Sequence, residues 1–115
     1  MLKQTFATYK VQLEKGELLQ VIETFYAADI AQVENNDAPI VGKTVLTEME
    51  IKNLAGVHSV DIKMPTYLID EEKGWAMGEM VIHSDSKKSG KQVLTEAFLQ
   101  HWKDGKIVFQ KFYFP

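Results

Sequence analysis

The sequence contains no cysteine among its 115 residues, which excludes a disulfide framework and a zinc site built on thiolates. It also has no apolar run near the roughly 20 residues that a membrane-spanning helix needs. The segment Met1–Thr5 lacks the apolar stretch and the small-residue cleavage site of a signal peptide. These absences are compatible with a reducing cytoplasm, so we expect a cytoplasmic protein with no membrane partner.

An excess of charge of either sign is also lacking, since 13 basic residues nearly balance 16 acidic ones and leave a net charge of −3. Without a basic face to neutralise phosphates, the sequence predicts no nucleic-acid partner. The histidines, His58, His83 and His101, lie on different predicted strands without a closely spaced ligand pair, and no glycine-rich loop is present to cradle a phosphate. We therefore expect neither a metal ion nor a cofactor.

Helical periodicity occupies the first half of the chain. An apolar stripe predicts an amphipathic helix that ends near Gly16, where glycine can take the positive φ of a C-terminal cap. A second helix is predicted over Leu18–Tyr26 and a third over Gly42–Leu54, while Ile30–Glu34 alternates like a short strand. The stripe of the first helix consists of Leu2, Phe6, Tyr9 and Leu13.

Strand periodicity follows the third helix. Asp104-Gly105 is a strong signal for a type I′ hairpin, and Pro65 marks a bulge or a sheet edge. Because short turns join consecutive strands, we expect an antiparallel meander with one face covered by the helices, in a single α+β domain over residues 1–115. The predicted strands are Val57–Asp70, Trp75–Ser84, Lys91–Lys103 and Ile107–Phe114.

Four short segments carry a family resemblance when taken in order: Gly16-Glu17, Phe25–Asp29, Gly42-Lys43 and Trp102–Val108. Over nearly its whole length the chain resembles the SnoaL-like group of the nuclear transport factor 2-like superfamily, which includes ketosteroid isomerases and polyketide cyclases. The resemblance implies a cone-shaped α+β barrel of the cystatin-like superfold, in which a curved, mainly antiparallel sheet wraps three helices and leaves a pocket at its open end. It also implies a homodimer, but it fixes no reaction because functions in this group are diverse.

Glu34, at the end of the first predicted strand, is the leading candidate for a general base. By resemblance it matches, within one residue, the catalytic aspartate of ketosteroid isomerases. A carboxylate in an apolar cavity has a raised pKa, which suits it to removing a proton next to a carbonyl group. The alternative is that Glu34 only caps or solvates the Asn35-Asn36 turn.

Tyr9 is a candidate hydrogen-bond donor. It stands before Gly16 at the position that resemblance assigns to the oxyanion-binding tyrosine of ketosteroid isomerases, and a phenol can stabilise a developing enolate. Tyr9 also lies on the apolar stripe of the first helix. It can therefore equally be a packing residue with one polar end.

The second oxyanion donor of those isomerases is a protonated aspartate, which the resemblance places at Leu99. This placement assumes that a two-residue loop at Asp104-Gly105 sets Leu99 opposite Gln110. Leucine cannot donate a hydrogen bond, so steroid-isomerase chemistry is not expected, although His101 and Gln110 on the same face offer a substitute. An imidazole can exchange protons at neutral pH, and the alternative is a hydrogen-bonded structural histidine.

The last strands have two contrasting faces. The expected hairpin register puts Glu79 opposite Glu96, which is unfavourable unless a cation bridges them, one is protonated or a ligand uses them. The aromatic face offers a homodimer interface; its residues are Glu79, Phe98, Gln100, Trp102 and Phe109. The other face carries smaller and more apolar side chains, and we expect it to line the pocket. Together with residues from earlier elements, the expected pocket residues are Tyr9, Glu34, Leu99, His101, Gln110, Phe112 and Phe114.

Three functional hypotheses remain open. The first is a binding domain for a small, moderately apolar molecule, with no activity assigned, and the loss of a donor at Leu99 favours it. The second is an isomerase, cyclase or lyase that uses Glu34 as base with Tyr9 or His101 assisting. The third is a dimeric structural or partner-binding module that works through its aromatic sheet face.

Overall fold

The computed structural model describes residues 1–115 as three helices and six strands. The helices are α1 (Leu2–Glu14), α2 (Leu18–Phe25) and α3 (Lys43–Ala55). The predicted elements are confirmed, except that the first strand begins at Tyr26 rather than Ile30 and that a short second strand precedes α3. The strands are β1 (Tyr26–Glu34), β2 (Ile40–Val41), β3 (Val57–Asp70), β4 (Trp75–Ser86), β5 (Gly90–Lys103) and β6 (Lys106–Tyr113).

All six strands form one sheet in the order β2-β1-β6-β5-β4-β3. Strands β3 to β6 make the expected antiparallel meander, whereas β1 runs parallel to β6 and pairs Glu34 with Phe112. The parallel contact explains the early start of β1, because Tyr26 already pairs with Ile107 although its neighbours show no alternation. The result is the predicted α+β cone, with a sheet that does not close on itself.

The core lies between the helices and one face of the sheet. The stripe residues Phe6, Tyr9 and Leu13 are buried, as their spacing predicts. Around Trp102 of β5 the rings pack edge to face, with centroid distances of 5.4 Å to Tyr9 and 5.9 Å to Phe25. Such aromatic pairs add to the stabilisation from buried area, so α1 and α2 are fixed on the sheet at this point.

A carboxylate holds the C-terminal end of α1 against β3. Glu14 accepts a hydrogen bond from the backbone N–H of Met64 (2.8 Å) and lies 3.0 Å from the ammonium of Lys10. The backbone bond is the main reason that the pKa of Glu14 lies below its ordinary value. The contact falls at the bulge around Pro65, where β3 loses its regular pairing with β4, so the expected role of this proline is confirmed.

The register between β4 and β5 differs from the expected one by a single residue. Ser86 pairs with Gly90, so Glu79 lies opposite Ala97, and Glu96 lies opposite Met80. The expected pairing of Glu79 with Glu96 is therefore wrong. Because side chains alternate along a strand, a one-residue change moves every side chain of β5 to the other face.

A bulge changes the register between β5 and β6 in the same way. Asp104 and Gly105 both have positive φ (52° and 76°), as the predicted type I′ turn requires. Beyond the turn, Trp102 pairs with Ile107 but His101 pairs with Phe109, which leaves one extra residue in β6. As a result Gln100, rather than Leu99, lies opposite Gln110.

Candidate functional site

A cavity of about 260 Å³ lies between the helices and the inner face of the sheet. Hydrophobic residues make up 13 of its 18 lining residues, so most of the surface offers only apolar contact. The helices contribute Leu13, Leu18, Val21, Ile22, Leu46 and Met49. The sheet contributes Val60, Ile62, Met80, Ile82 and Phe112.

Three carboxyl groups reach this cavity from three different elements. Glu34 ends β1 beside Phe112, and Glu96 faces inward from β5 because it pairs with the buried Met80. Glu50 comes from α3, one helical turn after the buried Leu46. An apolar cavity with several acidic side chains is an unusual environment, since burial penalises the charged form of each.

The pKa values of two of these carboxyl groups respond to that environment. Burial, with a further contribution from the negative charge of Glu34, raises the pKa of Glu96 to about 7. Burial also raises the pKa of Glu50 above its ordinary value. A carboxyl group that titrates near neutral pH can both release and accept a proton, which is the property required of a general acid or base.

A chain of buried amides lies behind the tyrosine end of the cavity. Gln100 donates from Nε2 to the hydroxyl oxygen of Tyr9 (3.0 Å) and to Oε1 of Gln110 (3.2 Å). Gln110 in turn donates to the hydroxyl oxygen of Tyr26 (2.8 Å) and to Oε1 of Gln32 (2.7 Å). Every buried side-chain nitrogen and oxygen has at least one hydrogen-bond partner.

Both tyrosines in this network remain neutral phenols at physiological pH. Burial raises the pKa of Tyr26 to about 12, with a smaller contribution from the charge of Glu50, against the opposing hydrogen bond from Gln110. Burial raises the pKa of Tyr9 further above its ordinary value. Each phenol therefore keeps its proton and can donate it to a ligand.

The structure brings only part of the predicted pocket set together. Tyr9, Glu34 and Phe112 line the cavity. Gln110 is fully buried and does not line the cavity itself, but it donates a hydrogen bond to Tyr26, which does. Phe114 follows the end of β6 and does not line the cavity.

The predicted placement of Leu99 and His101 in the pocket is wrong. Both face the outer side of the sheet, where Leu99 pairs with Met77 of β4 and the His101 ring stacks on Trp75 at a centroid distance of 4.3 Å.

The same reversal of β5 corrects the predicted dimer surface. Three of its residues are buried inside and two stay outside; those inside are Phe98, Gln100 and Trp102, and those outside are Glu79 and Phe109.

Sequence reasoning missed Glu50 as well as the inward position of Glu96. A signal for Glu50 was present, because Leu46, Glu50 and Asn53 fall at i, i+4 and i+7 of a predicted helix and thus share one face. The position of Glu96 depended on the β4–β5 register, which the sequence analysis predicted wrongly by one residue. Gln32 and Gln100 had no individual signal, since a buried glutamine is recognised only through its partners.

The described residues show no group of three or more histidine, cysteine, aspartate or glutamate side chains arranged to hold a metal ion. None of the helices is long and apolar enough to cross a membrane.

Comparisons with known proteins rest on structure, since no protein-family model and no curated protein matches the chain. A Mesorhizobium loti protein provisionally assigned as a SnoaL-like polyketide cyclase has a TM-score of 0.81 at 20% identity, over 98% of each chain. A nuclear transport factor 2-like protein of unknown function from Burkholderia pseudomallei has a TM-score of 0.81 at 8% identity, over 99% of this chain and 90% of that one. An LEH-like epoxide hydrolase from M. tuberculosis has a TM-score of 0.76 at 12% identity, over 97% of this chain and 80% of that one.

These matches confirm the fold that the family resemblance implied. At identities of 20% and below, these matches show a shared fold and not a shared function. The three proteins are described as a cyclase, a protein of unknown function and an epoxide hydrolase, so the shared architecture selects no single reaction.

Proposed function

We propose that this protein binds a small, mainly apolar molecule in the cavity between its helices and its sheet. The observation that carries the proposal is the lining, in which a few polar side chains stand among hydrophobic ones. Small-molecule pockets have this composition, and about 260 Å³ lies near the lower end of their size range. The expected occupant is therefore no larger than a substituted ring or a short branched chain.

Filling the cavity should weaken binding without unfolding the protein. Val60 is half-buried in the cavity wall, and Val60→Phe is expected to weaken binding of acetophenone, a ring with one carbonyl group, by about tenfold or more. The matched control is Val93→Phe, since Val93 is 65% exposed on the outer face of β5. Chemical-shift titration of labelled protein measures both affinities, and equal binding by the two variants would show that acetophenone binds elsewhere.

Acid–base catalysis within the cavity is the second candidate function, and the raised pKa of Glu96 favours it. With a pKa of about 7, Glu96 exists in both protonation states at neutral pH, while Glu34 supplies a neighbouring carboxyl group. Such a pair suits proton transfer next to a carbonyl group, as in an isomerase, cyclase or lyase. In the sequence hypothesis Tyr9 or His101 assists Glu34; here Glu96 takes the assisting place of His101, which lies on the outer face of the sheet.

A homodimer remains a proposal, and the outer face offers a corrected surface for it. Leu68, Met77 and Leu99 pair across three strands and form an apolar stripe in which Leu68 is 69% and Met77 52% exposed. Met77→Lys is expected to convert a dimer to monomers in sedimentation velocity, because a charge there would be buried unpaired. Val11→Lys on the exposed side of α1 is the control, and an unchanged sedimentation coefficient for Met77→Lys would exclude this surface.

A further inference from the structure

The hydrogen bonds of the buried amide chain have a fixed direction, and the direction starts at Trp102. An indole N–H can only donate. It lies 3.1 Å from Oε1 of Gln100, so the carbonyl end of this amide faces the indole and the nitrogen end faces away. The reversed amide would set two donors against each other in a dry interior, which costs the hydrogen bond and leaves buried groups unpaired.

This orientation determines every amide that follows. Both protons on Nε2 of Gln100 are used, one by the Tyr9 hydroxyl oxygen and one by Oε1 of Gln110. Because its carbonyl is thereby an acceptor, Gln110 must present Nε2 to Tyr26 and to Oε1 of Gln32. Each phenol oxygen thus receives a hydrogen bond, and the carbonyl of Gln32 is occupied.

Three groups at the end of this chain keep donor protons that no protein atom accepts: the hydroxyls of Tyr9 and Tyr26 and the amide nitrogen of Gln32. All three residues line the cavity. Tyr9 is 3% exposed, so bulk solvent is not a ready alternative acceptor for its hydroxyl proton. Buried donors of this kind favour a partner that brings an acceptor atom.

We propose that Trp102 is a positioning residue, which orients the amide chain so that the cavity wall presents hydrogen-bond donors. The ligand that fits these donors is a neutral molecule with an acceptor oxygen, such as a ketone, an aldehyde or an amide. The proposal rests on the proposed function and names its ligand chemistry. A carboxylate ligand is disfavoured because Glu34, Glu50 and Glu96 share the cavity.

The test compares two probes of the same shape, acetophenone and α-methylstyrene, in which a methylene group replaces the carbonyl oxygen. The wild-type protein is expected to prefer acetophenone by about tenfold or more. Trp102→Phe removes the N–H but keeps a ring, so Gln100 is free to reverse and Tyr9 can donate to it instead of to the ligand. The preference should then fall to about threefold or less while the affinity for α-methylstyrene holds, and Trp75→Phe on the outer face should change neither value.

A second measurement needs no ligand. The tyrosine doublet in Raman spectra distinguishes a phenol that accepts a hydrogen bond from one that donates, and the difference between wild type and Trp102→Phe cancels the contributions of Tyr67 and Tyr113. We expect a shift from acceptor towards donor. If Trp102→Phe does not fold, the nearly isosteric Gln100→Met removes the donor to Tyr9 and should reduce the acceptor signal.

The two proposals fail in different ways. If neither probe binds the wild-type protein, the proposed function fails, and the Raman difference still decides whether Trp102 sets the direction. If both probes bind and the preference is the same in wild type and Trp102→Phe, the cavity binds small molecules but the orienting role is wrong. An unchanged doublet in the folded variant overturns the orienting role regardless of binding.

Discussion

Gly78→Ala is expected to lower the free energy of unfolding by about 3 kcal/mol, the upper end of the range for overpacking a close contact. A Cβ at Gly78 would collide with the carbonyl oxygen of Thr66 and lie 2.8 Å from Cα of Tyr67. Both are backbone atoms of the bulged part of β3, so neither can swing aside as a flexible side chain would. Urea denaturation followed by circular dichroism measures the change.

Gly56→Ala is the control for this experiment. Gly56 has an ordinary φ of −89°, and a Cβ there would meet its nearest neighbour, the carbonyl oxygen of Asn53, at 3.5 Å. The free energy of unfolding should change by no more than about 0.5 kcal/mol. Equal effects of the two substitutions would mean that β3 and β4 can separate at the bulge at little cost.

Glu96→Gln is expected to stabilise the protein at about pH 8 by about 1–2 kcal/mol and to have little effect near pH 4. Burial, and then the charge of Glu34, raise the pKa of Glu96 to about 7 in the folded state. The unfolded value is about 4.3, so between these two pH values the folded protein holds a proton that the unfolded chain has released. The stability that protonated Glu96 contributes is therefore fully present below the unfolded pKa and is lost as the pH rises through about 7.

Glutamine imitates the protonated carboxyl group and should remove this pH dependence. The magnitude is smaller than the full shift implies, because Glu96 is only partly buried and solvent screens its charge. Glu79→Gln on the exposed face of β4 is the control and should follow the wild-type curve. Parallel stability curves for wild type and Glu96→Gln between about pH 4 and pH 8 would exclude a neutral-pH role for Glu96 and weaken the acid–base candidate.

The helices and long strands could be predicted because their signals are local. The stripe from Leu2 to Leu13 specifies a helix face by its own spacing, and β3 was placed with both ends correct. The cone itself was implied by the family resemblance, which rests on the order of these elements and of the short segments between them. Strand β2 was not predictable in this way, since two residues, Ile40 and Val41, carry no periodicity and depend on their partner β1.

The site was harder to predict because it depends on which face of β5 points inward. That choice is fixed by the length of the loop at 87–89 and by the single extra residue that follows Ile107 in β6. Neither feature has a strong sequence signal, and each changes the register by one position. Tyr9 and Glu34 lie on elements outside this meander and line the cavity, whereas His101 and Trp102 lie on the faces opposite to those expected.

The position of β6 between β1 and β5 has a consequence for how the molecule assembles during synthesis. Of the six strands, Lys106–Tyr113 is the last to be translated, yet it joins the N-terminal strand to the meander. Until it emerges, Ile30 has no sheet neighbour on that side, and no strand connects the hairpins from β3 to β5 with β1. Contacts between the two ends of a sequence close slowly, so the nascent chain reaches its final form only after this last segment has left the ribosome.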